Sequence, residues 1–143
     1  MKRDYPEQPI VGVGAVIIKD GRAVVIRRMA SPMAGEWSVP GGALEIGETL
    51  RQGTEREALE ETGLVVTAGD LLDVFDAIYT DPDGRIQYHF VLVDFLCTPV
   101  SGELRAGGDA AEVRWITDAD LDVMPVAGSI AGVIRKGLRE KSR

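Results

Sequence analysis

The stretch Arg56-Glu57-Ala58-Leu59-Glu60-Glu61-Thr62-Gly63 places three carboxylates within five positions, and Glu55 precedes them. On a helix, with about 100° per residue, Glu60 and Glu61 fall within about 60° of Glu57 on either side. Like charges at this spacing repel one another. Leu50, Ala58 and Leu59 are the only aliphatic residues nearby and make no clean stripe, so core burial alone does not account for the segment. Two kinds of chemistry fit. One is a solvated acidic face with ion pairs, in which Arg56 reaches Glu60 four residues on. The other is a site for a hard divalent cation, which takes oxygen ligands and would relieve the repulsion.

The segment needs a helix to carry it. Thr49 to Thr62 reads as one, with Thr49 as N-cap, Gln52 completing a capping box and Gly63 as the stop. Upstream, two strands at about 10–18 and 23–28 flank Asp20-Gly21, a strong hairpin signal. Residues 29–48 are rich in Gly and Pro and read as loop with short extended pieces. Downstream, the pattern predicts strands at about 64–68, 71–79 and 86–98, with the turn Asp81-Pro82-Asp83-Gly84 before the last of these. A short strand at Glu112–Ile116, a helical turn near Asp118–Leu121 and a helix over about 126–140 complete the chain. Strands and helices mixed without regular alternation indicate an α/β fold with a mixed sheet.

Composition narrows the function. The 143 residues suit a single domain, 1–143, whose first nine residues read as a loose N-terminal arm. A formal net charge of −7 argues against a nucleic-acid partner, since a phosphate backbone needs a basic surface. It leaves room for a small phosphorylated ligand held by a few arginines, by metal or by both. Cys97, the lone cysteine, sits in an apolar run and reads as a buried small hydrophobe. The start lacks a signal-peptide core, and no apolar run approaches the roughly 18 residues of a membrane span, so a cytoplasmic setting without membrane association is expected.

The longer run Gly41-Gly42-Ala43-Leu44-Glu45-Ile46-Gly47-Glu48 through Leu64 decides between the two chemistries. Gly42, Glu48, Arg56, Glu57, Glu60, Glu61 and Gly63 fall at the spacing of the signature box of the Nudix hydrolases, which this sequence resembles. Ala58 is the one loose fit, at a place usually given to a larger aliphatic residue. The resemblance covers about residues 10–138.

That resemblance implies an α/β/α sandwich in which the box forms loop–helix–loop. It implies metal-dependent hydrolysis of a nucleoside diphosphate linked to another moiety, with Mg²⁺ or Mn²⁺ as cofactor and water as nucleophile. Glu57 and Glu61 become the prime metal ligands, Glu60 a further one, and the Gly41 carbonyl an additional one. Arg56 and Glu48 would pair and orient the helix. The base is Glu57 or a distal acid, Asp109 or Glu112. Of Arg27 and Arg28, which strand alternation sets on opposite sides, Arg28 is favoured for substrate phosphates. Trp37 reads as packing, and His89 as structural or at the substrate edge. Pro82 and Tyr79 miss the spacings that mark substrate subgroups. ADP-ribose or a similar nucleoside diphosphate sugar is the favoured substrate, ahead of a MutT-like nucleoside triphosphate reaction and a non-catalytic nucleotide sensor. Many ADP-ribose-type relatives pair through their N-terminal parts, so the resemblance is compatible with a homodimer; the short arm here leaves the oligomeric state open.

Overall fold

A computed structural model of the chain describes residues 2–142. Its strands are β1 (Ile10–Lys19), β2 (Arg22–Arg28), β3 (Trp37–Ser38), β4 (Gly41–Ala43), β5 (Leu64–Thr80), β6 (Ile86–Gly102) and β7 (Ala110–Ile116). The helices are α1 (Leu50–Thr62) and α2 (Gly128–Lys141), with a 3₁₀ turn at Ala119–Asp122. The strands form one mixed sheet centred on β1. β1 runs parallel to β6 and antiparallel to β4 and, at its far end, to β2; β5 borders β6, while β3 and β7 border β2.

Side chains alternate across β1 and define the two faces. Ala15 and Ile17 pack with Val24, Val93, Phe95 and Cys97 beneath Ala58 of α1. Val16 and Ile18 pack with Val25, Leu72 and Ile116 beneath Ile134 of α2. The two helices therefore cover opposite faces, as an α/β/α sandwich requires. The α2 packing covers the Val16–Ile18 end of its face, and the Gly12–Gly14 end of the same face lines a cleft. Trp37 is buried in the core on the α2 side, a packing role.

Local chemistry sets the ends of α1 where the sequence places them. Thr49 Oγ1 accepts from Gln52 N at 3.1 Å, and Gln52 Oε1 accepts from Thr49 N at 2.9 Å. Gly63 ends the helix in the left-handed region, φ 76°, its N–H donating to Leu59 O; a side chain there would also strike the Glu103 carbonyl.

The buried side of α1 consists of Gly53, Thr54, Ala58, Glu61 and Thr62, while Leu50 and Leu59 are exposed. Both threonine hydroxyls bond back along the helix, Thr54 to Leu50 O and Thr62 to Ala58 O, so they enter the interface satisfied. Small residues let α1 lie close to the sheet, and this brings Glu61 into the interface. Ala58, the loose fit to the box, is fully buried at that contact.

Three segments differ from the sequence reading. The strands expected at 64–68 and 71–79 are one strand, because two successive register shifts around Gly69-Asp70 absorb the interruption while β6 runs on. The last helix starts at Gly128; Val126 instead bridges to Trp37. The arm is tied down: Tyr5 N donates to Gln87 O at 2.7 Å, Tyr5 Oη donates to Asp81 at 2.7 Å, and the Arg85 guanidinium sits 4.5 Å from the Tyr5 ring centre. Among the described residues no helix is long and apolar enough to cross a membrane.

Enlarging Ala58 tests the close approach of α1. Ala58→Leu should lower the unfolding free energy in urea titrations by about 1–3 kcal/mol through overpacking. Leu59→Ala, one residue on and exposed, should change it by no more than about 0.5 kcal/mol.

Candidate active site

The box folds as β4, a loop and α1, and Arg56 holds the three parts together. Its Nε and Nη2 donate to the two oxygens of Glu48 at 2.6 and 3.0 Å. Nη2 also donates to Ala43 O at 3.2 Å, and Nη1 to Glu57 Oε1 at 2.9 Å. Glu60 receives only the longer contacts from Nη1, 3.3 and 3.4 Å. The Arg56–Glu48 pair expected from the sequence is thus a two-pronged bridge, the geometry a guanidinium fork favours. Arg56 holds the Glu48 carboxyl below the usual carboxylate range. Glu48 in turn raises the Arg56 pKa.

The three helix carboxylates separate into different environments. The Glu57 side chain is 13% exposed and Glu60 is 52% exposed. Glu61 is buried, and Glu57 and Glu61 both line the cleft. The Glu57 carboxylate rests on Gly42 so closely that a Cβ there would lie 2.5–2.8 Å from its atoms. That contact, rather than backbone conformation, is what Gly42 permits. Glu61 Oε1 accepts from Gly41 N at 2.7 Å. Bonds from Leu44 N to Val11 O and from Ala15 N to Pro40 O set the phase of the β1–β4 ladder. They leave the N–H and carbonyl of Gly41 turned away from β1.

Burial raises the pKa of Glu57, against the opposing pull of Arg56. Burial also pushes Glu61 up to about 7, the Gly41 N–H opposing and Glu57 adding to the rise. Two nearby carboxylates, one buried and one half-buried, that resist ionising are a donor set that a hard cation would stabilise. Among the described residues no group of three or more acidic, His or Cys side chains closes into a ready metal cage. The reason is that Glu60 turns toward Arg56 and solvent. Two carboxylates plus the Gly41 carbonyl still fit Mg²⁺ or Mn²⁺, which commonly take one or two carboxylates and complete their shell with water and substrate phosphate.

The remaining candidates divide across the sheet. Arg28 lines the cleft, its Nε donating to Pro32 O at 2.9 Å. Arg27 turns away and pairs with Glu112 at 2.8 Å, its cross-strand partner on β7. Of the two distal acids, Asp109 lines the cleft and raises Glu61 further, whereas Glu112 stays on the solvent side with Arg27. His89 falls on the face of β6 opposite the cleft-lining Phe90 and Leu92. Tyr79 lines the cleft with its Oη 3.3 Å from Met33 Sδ, and Cys97 is fully buried, as read from the sequence.

Sequence reasoning missed other cleft residues: Arg3 from the arm, Gly12 and Gly14 on β1, Phe75 on β5, and Phe90, Leu92 and Asp94 on β6. Only Asp94 carried a signal, an acid interrupting the apolar run Phe90-Val91-Leu92-Val93-Asp94-Phe95-Leu96. The others are ordinary residues whose convergence depends on strand register.

A model of the NUDIX domain matches residues 8–136. The chain belongs to the Nudix family. Over 117 residues it is 37% identical to a Methanocaldococcus jannaschii protein described as an ADP-ribose pyrophosphatase, covering 82% of this chain and 65% of that protein. A MutT-like protein of Streptomyces ambofaciens is 33% identical over 112 residues, covering 78% of this chain and 66% of its own. The chain thus spans just under two thirds of each relative's length. The structure of a MutT Nudix hydrolase from Burkholderia pseudomallei is 32% identical, with a TM-score of 0.73 over 91% of this chain and 98% of that one.

The raised carboxylates make the metal-free Nudix domain less stable as pH rises. Glu61 moves from 4.5 unfolded to about 7 folded, and Asp94 from 3.8 to about 7. The native state therefore binds these protons more tightly, and unfolding gains with each step of pH between about 4.5 and 7. Glu48, shifted the other way, contributes fully across that window and loses its contribution only in stronger acid. Urea titrations in chelator should give a lower unfolding free energy at pH 8 than at pH 5.5, by a few kcal/mol as an order of magnitude. Glu61→Gln should flatten the slope; equal stabilities at the two pH values would contradict the assignment.

Proposed function

We propose that this Nudix domain hydrolyses the pyrophosphate bond of a nucleoside diphosphate derivative, with ADP-ribose or a similar nucleoside diphosphate sugar as the favoured substrate. The observation that carries the reading is the cleft itself. Two carboxylates, the half-buried Glu57 and the buried Glu61, share it with Arg28 and with the aromatic side chains Phe75 and Phe90. The resemblance to a protein described as an ADP-ribose pyrophosphatase supports the choice of substrate.

A divalent cation, Mg²⁺ or Mn²⁺, held by Glu57, Glu61 and the Gly41 carbonyl would supply neutralisation of the diphosphate charge and activation of water. The chain's own residues do the rest. Arg28, which lines the cleft near enough to Glu61 to pull its pKa down, binds a phosphate oxygen. Arg56 and Glu48 hold Glu57 in position by fixing the helix to the loop, and the Gly41 N–H fixes the rotamer of Glu61. Asp109 accepts the proton that the attacking water loses, a role open to it because it faces the cleft without being one of the two ligands.

A substrate panel with Mg²⁺ and mass identification of products tests the reading. AMP plus ribose 5-phosphate from ADP-ribose is the expected result. Pyrophosphate plus a monophosphate from nucleoside triphosphates would favour the MutT-like reaction, and tight binding without turnover a sensor. Glu57→Gln and Glu61→Gln should each lower kcat at least about 100-fold, the scale of losing a group that stabilises transition-state charge. Asp109→Asn should lower kcat by about 10²–10⁴ with little change in KM, while Glu112→Gln stays within a few-fold of wild type. Turnover retained in both glutamate variants would sink the metal-helix assignment.

A further inference from the structure

Asp94 is a buried acid to which the proposed reaction gives no role. It is 4% exposed, yet it has no hydrogen-bond or ion-pair partner among the described residues, and it lines the cleft. The other buried polar side chains of the chain are mostly satisfied: Thr54 and Thr62 bond to helix carbonyls, and Glu61 to the Gly41 N–H. Ser38 is the exception, also buried, also without a side-chain partner, and also lining the cleft. Among the described residues no fully buried side-chain N or O atom lacks a partner, so the Asp94 oxygens open onto the cleft, and a carboxylate so nearly enclosed with no protein donor is costly to keep.

Strand register explains its position. Gly14 on β1 lies opposite Asp94 on β6, and a Cβ at Gly14 would collide with Asp94 Oδ1. The absent side chain leaves the carboxylate room on the floor of the cleft. Along the same face of β6 come Leu92 and Phe90, flanked on β5 by Phe75 and Ala77 in register with them. Asp94, with Asp73 as its cross-strand neighbour on β5, is thus an acceptor at one end of an aromatic and aliphatic surface. Flat apolar walls suit a stacked ring, and the carboxylate would repel a phosphate.

We propose that Asp94 is a specificity-determining residue that accepts a hydrogen bond from the exocyclic amino group of the substrate's nucleobase. This rests on the reading of the cleft as a nucleotide site. It goes beyond that reading by selecting amino-bearing bases, adenine or cytosine, over their oxo counterparts. The stacked ring would lie over Phe90 and Leu92, with Glu57 and Glu61 left to the diphosphate.

The test compares nucleotides that differ by amino against oxo at one ring position, AMP with IMP and CMP with UMP. Binding to wild type and to Asp94→Asn is measured by calorimetry, so the readout needs no turnover. At about pH 8.5, above the value of about 7 to which burial pushes Asp94, wild type should bind the amino member of at least one pair about 10-fold or more tighter, because the oxo member leaves the ionised carboxylate unpartnered. Asp94→Asn should bring that ratio to within about 3-fold, since its amide can donate to the oxo oxygen. The variant should melt at a temperature equal to or above wild type, showing that it folds and that a buried charge has been removed. A ratio near one in wild type, an unchanged ratio in the variant, equal weakening of both members, or no detectable binding of any of the four would each overturn the proposal. Failure of ADP-ribose to turn over would affect the substrate reading alone, because the binding ratios are measured independently of it.

Discussion

One guanidinium makes the acidic helix possible. Glu48, Glu57 and Glu60 converge on Arg56, and Ala43 adds a carbonyl from the neighbouring strand. Without that positive charge, the loop bearing Glu48 and the helix face bearing Glu57 would push apart. With it, their repulsion becomes a set of short charge-assisted bonds that lock loop to helix. The bridge does not neutralise everything. Glu61 lies beyond its reach and depends on a backbone N–H, so burial dominates there and leaves a carboxyl that ionises reluctantly. Glu48 and Glu60 are compensated by the protein, Glu57 only partly, through one oxygen, and Glu61 not by Arg56 at all, so the pair Glu57 and Glu61 is left for something else.

That inner pair is set in place by small residues as much as by charged ones. α1 approaches the sheet through Gly53, Thr54, Ala58 and Thr62, and the Glu57 carboxylate sits where Gly42 has no side chain. On the opposite face, Gly12 and Gly14 continue the row that Val16 and Ile18 fill beneath α2. The apolar row stops where the glycines begin, and the cleft begins there. The acidic helix on one face and an open floor on the other therefore meet at the same short stretch of β1.

Much of this was legible in residue order. The hairpin at Asp20-Gly21, the capping box at Thr49 and Gln52, and the stop at Gly63 are local events decided by neighbours within a few positions, and each stands where it was read. The continuity of β5 was not legible. Gly69-Asp70 looks like a break from within the strand, and only pairing with β6 converts it into bulges. The tether of the arm was hidden for the same reason, since the partners of Tyr5 lie more than seventy residues away.

The candidate site divides along the same line. The sequence by itself determined the chemistry available: which carboxylates cluster, which arginine stands beside them, and that Arg27 and Arg28 must face opposite ways. These follow from fixed helical and strand periodicities. Tertiary structure decided which groups act together. It set Arg28 and Asp109 into the cleft, turned Arg27 and Glu112 into a surface pair, moved Glu60 toward solvent, and placed Asp94 opposite a glycine. Periodicity orders side chains within one element; distance between elements comes only from sheet register and helix packing, which no single segment encodes.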